Sequence, residues 1–341
     1  MSYSVRNTVI VALVLAVVSG CQVPLTSHET PPQIVRPASP GLFQRGLVSA
    51  VGDGQWRFRP CFAHYEWILS DPTERLSRRF SEQLAPTVYG EFSLAPGEDL
   101  KHWQVQQVHL LGGGEATCRF SLNEINYRAA NGREWVADVL ADTIVVQDYA
   151  RVSRMTFAMA SGARPDDLQW RSDLKQRNGE KIQMELTLSQ TACSDPYGGE
   201  YEFSAKLKLG KRTLSGCARS GNLEQRTLPG VYAADLRMGQ GPGRRIELSL
   251  LGSGRMELKQ TDTQQRSLLF QQGQWSLLKT GKLLVEVQQT NGRPDTELML
   301  FVRDAQGRLA LEGYSSSYGE NLLRLPLVAP DPEQLWNLGV Q

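Results

Sequence analysis

Two stretches near the middle of the chain, KIQMELTL (181–188) and YEFSAKLKL (201–209), alternate apolar and polar residues with a period of two. Neighbouring side chains of an extended backbone point to opposite faces. Ile182, Met184, Leu186 and Leu188 therefore share one face of one strand; Tyr201, Phe203, Ala205, Leu207 and Leu209 share one face of another. On a helix the same residues would scatter around the axis. RRIELSLLGSGRMEL (244–258) reads as two such strands joined at Gly252–Gly254. KLLVEV (282–287) and TELMLFV (296–302) continue the style up to a turn at Asp304–Gly307. Short alternating strands punctuated by Gly, Asp or Asn about every ten residues imply antiparallel sheets closed into barrels or sandwiches. The expected fold class is mainly β.

One segment departs from period two. In DPTERLSRRFSEQL (71–84), Asp71 suits a helix cap, Pro72 suits the first turn, and Leu76, Phe80 and Leu84 recur at i+4. A short helix is expected there, plugging or flanking the first β unit, with Arg75, Arg78 and Arg79 on a solvated outer face. A chain of 341 residues is too long for one small barrel. The turn residues divide it into three small antiparallel barrel or sandwich domains, 41–122, 123–222 and 226–328, with the helix in the first. APDPEQLWNLGVQ (329–341) reads as a loose tail.

The beginning of the chain is of another kind. Met1–Asn7 is polar with one charge, Arg6, and TVIVALVLAVV (8–18) is almost purely aliphatic. Eleven helical residues span only about 16 Å, half a bilayer core, which suits a secretory segment and not a membrane span. Val18-Ser19-Gly20-Cys21 then resembles the lipobox of bacterial lipoproteins. The resemblance implies cleavage after residue 20 and acylation of Cys21. Two or three acyl chains make a stable anchor where one would be marginal. Gln22, in place of an Asp, implies sorting to the outer membrane of a Gram-negative cell. Residues 21–40, with five prolines, read as an extended tether. The chain carries 37 Lys plus Arg and 36 Asp plus Glu, so loss of Arg6 leaves the signs equal. A balanced chain has no broad attraction for nucleic acid.

The chain has five cysteines, an odd number. With Cys21 committed to lipid, Cys61, Cys118, Cys193 and Cys217 remain, and an even set in an exported protein implies two disulfides. Four cysteines allow three pairings; Cys61–Cys118 and Cys193–Cys217 keep each bond inside one unit. None stands in a C-x-x-C arrangement or near a histidine that would complete a zinc site.

Residues 41–220 resemble a family of bacterial envelope lipoproteins. The resemblance rests on TACSDPYGGEYEFSAKLKLGKRTLSGCA (191–218), through Cys193, Asp195, Gly198 or Gly199, Tyr201, Phe203, Ala205, Leu214, Gly216, Cys217 and Ala218. GQWRFRPC (54–61) resembles the start of that family's first unit. Asn131–Trp135 stands where the family has a Gly-Asn-Glu-Pro-Phe-Trp segment. Residues 226–328 resemble the N-terminal domain of NlpE-type copper-homeostasis and envelope-stress lipoproteins, a lipocalin-like barrel. The shared residues are Leu228–Tyr232, Gly252–Gly254, Gly273–Leu277 and Lys282-Leu283. That domain's first loop carries C-x-x-C; here Leu236–Gly243 has no cysteine, so no metal site carries over, Met238 alone being insufficient.

Catalytic patterns are few. Ser276-x-x-Lys279 and Lys279-Thr280-Gly281 mimic motifs of penicillin-recognising enzymes, but Lys279 would have to serve both, on a strand that sends Ser276 and Lys279 to opposite faces. His28, His64, His102 and His109 form no ligand pair; Gly112–Gly114 reads as a turn; and Asp138, Asp142 and Asp148 would face a common solvent edge. The sequence thus leads to a non-catalytic outer-membrane lipoprotein, facing the periplasm without a cofactor. It would serve as a binding or sensing module for an envelope protein in envelope homeostasis. The alternative is a carrier of a small ligand or metal inside the C-terminal barrel.

Overall fold

A long, strongly curved strand, β1 (Leu42–Gly52), pairs antiparallel with β2 (Gln55–Pro60) on one side and β4 (Thr87–Pro96) on the other. The structure, a computed structural model, describes residues 41–338 apart from 53, 83–85, 133, 161–167, 177–178, 237–242, 263–265 and 321–322. Cys21, the secretory segment and the tether, with Leu84, Arg133 and Met238, lie outside the described residues. β3 (Trp67–Ser70) joins β2 and runs parallel to β5 (His102–Leu111), which returns to β4. The circuit β1-β2-β3-β5-β4-β1 is closed and has the connectivity of an OB-fold. Tight curvature needs close backbones: Gly46 and Gly90 are direct partners, and a Cβ on Gly46 would lie 2.2 Å from the Arg59 carbonyl oxygen.

The expected helix, α1 (Arg75–Glu82), sits between β3 and β4. Asp71 caps it as anticipated, Oδ2 accepting from the Leu76 N–H at 2.7 Å, and Leu76 is buried in the barrel core. Phe80 stacks on Trp56 with ring centroids 4.8 Å apart. Its arginine face is not wholly solvated, however. Arg79 is buried, and Arg75 pairs with Glu200 at 2.9 Å, because a later part of the chain docks there.

The second unit is an up-and-down barrel of β6 (Tyr127–Asn131), β7 (Trp135–Val139), β8 (Thr143–Asp148), β9 (Ser153–Ala158), β10 (Gln169–Lys175) and β11 (Lys181–Ser189). Before completing it, the chain leaves in a small hairpin, β12 (Cys193–Ser194) and β13 (Glu200–Tyr201). It then returns as β14 (Phe203–Leu209) and β15 (Arg212–Ser220), which pairs with β6. β13 pairs with β5, so the second unit extends the first unit's sheet. The apolar face expected from Tyr201 to Leu209 therefore breaks at Glu202. Phe203, Ala205, Leu207 and Leu209 fill the second barrel, while Tyr201 packs beside Leu110 and the Cys61–Cys118 bond. Ladder pairing is missing between β9 and β10, so this barrel is nearly but not fully closed.

A short linking helix, α2 (Leu223–Thr227), leads to the third barrel: β16 (Gly230–Leu236), β17 (Arg244–Leu250), β18 (Arg255–Asp262), β19 (Ser267–Leu277) and β20 (Leu283–Thr290). Strands at Leu298–Arg303 and Leu309–Glu312 continue the meander. Arg324–Leu325 and Leu327–Pro330 then bring the chain back to β16. Its interior is occupied by packed side chains, among them Tyr232, Leu248, Leu258, Val285, Phe301 and Leu325. The expected loose tail is instead ordered through 338. Asp331 caps α3 (Pro332–Asn337) and also accepts from the Gly252 N–H at 2.8 Å. Leu335 and Leu338 pack on the first barrel's core. Among the described residues, two further short helices thus join the single one expected from the sequence.

Candidate functional site

Among the described residues, no helix is long and apolar enough to cross a membrane, and no group of three His, Cys, Asp or Glu is placed to hold a metal. Both expected disulfides are present, Cys61–Cys118 and Cys193–Cys217, each with Cα atoms 5.5 Å apart. Cys118 lies in a 3-10 turn (Glu115–Arg119) below the first barrel. Cys193 begins the excursion hairpin, and Cys217 on β15 moors it to the second barrel. The hairpin's tip is organised by Asp195, whose Oδ1 accepts from the Tyr197 and Gly199 N–H groups at 2.9 and 2.7 Å, and whose Oδ2 accepts from the Tyr201 hydroxyl at 2.9 Å.

The most catalytic-looking geometry is inside the molecule. His109 on β5 places Nδ1 2.6 Å from Glu202 Oε2 and Nε2 2.8 Å from Ser93 Oγ on β4. With Nδ1 donating to the carboxylate, Nε2 is left to accept from the Ser93 hydroxyl, the arrangement of a nucleophile, base and orienter. Two further donors hold Glu202, Gln107 at 2.7 Å and Gln190 at 3.2 Å. Yet Ser93 is 0% exposed and His109 is buried against Phe43. A nucleophile must touch a reacting carbon, and this one touches only protein. The chain of hydrogen bonds is a fastening between the hairpin and the first barrel. Ser93→Ala is expected to cost about 1–2 kcal/mol in urea unfolding and to leave hydrolysis of small p-nitrophenyl esters at background. Ser93-dependent hydrolysis would contradict this.

The same outward face of β1, β4 and β5 carries other fastenings. Arg45, 1% exposed, reaches Glu224 in α2 at 3.2 Å, and Glu224 also accepts from Arg303 of the third barrel at 2.6 Å. Glu91 accepts from the Tyr89 hydroxyl at 2.7 Å and pairs with Arg219 of β15. Burial by itself would push the Glu224 carboxyl up, but Arg303 and Arg45 outweigh it and hold it below the usual glutamate value. The outward positions of β2, where OB-folds commonly bind ligands, are Gln55, Arg57 and Arg59. They present no aromatic platform for bases, and the two arginines face Glu66 and Glu115.

The carboxylates expected on one solvent edge are separated. Asp138 faces outward against Arg128 at 2.6 Å, whereas Asp148 points into the second barrel and pairs with Arg212. Lys279 of the decoy motif lies in a turn and pairs with Glu124 at 3.2 Å.

Among the exposed large apolar side chains, which also include Val51, Phe120, Tyr314 and Trp336, three lie by Gly132 and Glu134 of the second barrel and form its rim. Tyr149 is 49% exposed and donates its backbone N–H to the Glu134 carbonyl at 2.9 Å. Tyr197 is 63% exposed, and a Cβ on Gly132 would stand 2.7 Å from its ring. Val152 is 93% exposed with φ +49°. A β-branched residue in the left-handed region is strained by about 1–2 kcal/mol, and such strain concentrates at functional surfaces. Val152→Gly is therefore expected to raise stability by roughly 0.5–1 kcal/mol, glycine's own chain entropy offsetting part of the relief. Thermal unfolding would show it, and a loss of stability would contradict the strain. Sequence reading missed this rim, since neither Tyr149 nor Val152 belongs to a motif. No family model, curated protein or solved structure matches the chain.

Proposed function

We propose that this protein is a lipoprotein anchored through Cys21 in the outer membrane of a Gram-negative bacterium, facing the periplasm, where it serves envelope homeostasis as a non-catalytic docking and sensing module for another envelope protein. The observation that carries the docking reading is the rim of Tyr149, Val152 and Tyr197. Tyr149 and Val152 share one turn held to the Glu134 carbonyl, Tyr197 lies over Gly132 two positions before it, and all three side chains are exposed. Exposed tyrosines of this kind are common anchors of protein interfaces. The two disulfides suit an oxidising compartment, and the lipobox-like Val18–Cys21 supports the anchor. A carrier role inside the C-terminal barrel draws no support from an interior filled by side chains.

The test is affinity capture from crosslinked envelopes, comparing the wild type, Cys21→Ala and the double variant Tyr149→Ala/Tyr197→Ala. Cys21→Ala is expected to leave the membrane fraction, and the double variant to stay anchored but recover at least about tenfold less partner, the loss of one or two interface anchors. Membrane fractionation unchanged by Cys21→Ala would refute the anchor. A partner captured equally by the rim variant would refute the rim.

A further inference from the structure

The second barrel fails to close at one place, and a cavity opens there. β9 and β10 lie side by side without a backbone ladder; one hydrogen bond spans them, from Ser172 Oγ to the Ala158 carbonyl at 2.6 Å. Beside it is a cavity of about 290 Å³, walled by Ile144, Ala158, Met159 and Trp170 with Arg171 and Ser172 at its lip. Ile144 and Trp170 belong to the barrel's buried core, so the cavity reaches the core layer. Among the described residues, the Trp170 indole N–H has no hydrogen-bond acceptor.

We infer that this slot is a binding site for a single-chain amphiphile with an acidic head, a medium-chain alkyl carboxylate being the best fit. The walls are aliphatic, thioether and indole, which favour an apolar tail. At about 30 Å³ per water-sized group, the volume holds roughly ten such groups, near the lower limit for small-molecule sites. Arg171 is the one charged side chain among the described residues that line the slot. Glu185 on β11 accepts from Gln169 at 2.9 Å, Arg171 at 2.8 Å and Lys208 at 2.8 Å. Lys208, Arg171 and Gln169 hold its carboxyl down to about 2, so it stays ionised beside Arg171. Arg171 is 72% exposed and can turn from Glu185 to a ligand carboxylate, whereas an alkylammonium would find no carboxylate among the described lining residues. The inference rests on neither the anchor nor the docking rim.

Calorimetry at low ionic strength, below micelle concentrations, would compare decanoate, decanol and decyltrimethylammonium. Saturable one-to-one binding is expected for decanoate, about fivefold weaker binding for decanol, the worth of one exposed ion pair, and none for the cation. Arg171→Gln should bring decanoate down to the level of decanol. Ala158→Trp, at an exposed edge position, should fill the slot and abolish binding, and Ala160→Trp provides a second filled variant should the first misfold. Trp170→Phe should keep calorimetric binding while losing the ligand-induced fluorescence change. Absent decanoate saturation, binding that survives both filled variants, or equal binding of all three ligands would overturn the proposal.

Discussion

Glu224→Gln is expected to lower the stability of the folded chain by about 3–5 kcal/mol, the cost of breaking a buried ion pair by removing one partner. Glu224 is the one carboxylate between two buried guanidiniums. Arg303 donates to Oε1 through Nε at 2.8 Å and Nη2 at 2.6 Å, and Arg45 donates to Oε2 at 3.2 Å. The arginines belong to different barrels, and the linking helix α2 sets the carboxylate between them. Glutamine keeps the shape but leaves two charges uncompensated. Arg45 also donates to the Phe120 carbonyl at 2.5 Å and Arg303 to the Gly307 carbonyl at 2.8 Å, so neither can swing out to water without breaking further bonds. Arg45→Met/Glu224→Leu/Arg303→Met should recover most of the loss, because apolar groups of similar volume need no counterion. A second signature is pH. The folded Glu224 value lies below the usual 4.5, so its contribution is present above pH 4.5 and is lost as pH falls toward and through the folded value. The variant should lack that acid-sensitive component. Urea midpoints for both proteins between pH 3 and 7 would show it; a loss under 1 kcal/mol at pH 7 would contradict the keystone.

Removing a disulfide should cost nearly as much, and the two bonds should differ in what else they release. Loop closure over the 57-residue separation of Cys61 and Cys118 is worth about 4 kcal/mol, and over the 24-residue separation of Cys193 and Cys217 about 3.5 kcal/mol. Cys193–Cys217 also holds the hairpin that carries Glu200 to Arg75, Tyr201 to Leu110, and the chain into Glu202 beside His109. Cys193→Ser/Cys217→Ser should therefore speed amide hydrogen exchange at Gly199 and Glu202, whose N–H groups bond to Asp195 and to the His109 carbonyl. Cys61→Ser/Cys118→Ser should destabilise by a similar amount without that local change. Equal exchange at Gly199 and Glu202 in both variants would show that the hairpin is held by its ladder and ion pairs alone.

The physical meaning of period two explains what could be read from the residues. Alternation assigns each side chain a face, and so Met184, Leu186, Leu188, Phe203 and Leu207 were placed in a core, the hairpin at Gly252–Gly254 was found, and Asp71, Leu76 and Phe80 marked the helix. Both disulfides followed from cysteine count and unit boundaries. Alternation does not name a strand's neighbour. The parallel β3–β5 pair and the gap between β9 and β10 depend on closure, which no local pattern encodes. The same ambiguity hid the seam. Tyr89, Glu91 and Ser93 alternate with Val88, Phe92 and Leu94, a pattern that fits a solvent face equally well; the docking of β13 and β15 covers them. Asp138 and Asp148 are ten positions apart, yet the turn between β7 and β8 sends one outward and the other inward.

The docking claim is tested most directly by placing a photo-crosslinking amino acid at single positions in living cells. Positions 149, 152 and 197 sample the rim, while Val51 and Trp336, also exposed and apolar, sample other parts of the body. The account expects one discrete adduct from the three rim positions, lost in a Cys21→Ala background, and none from 51 or 336. No adduct from the rim, or the same adducts from all five positions, would contradict it.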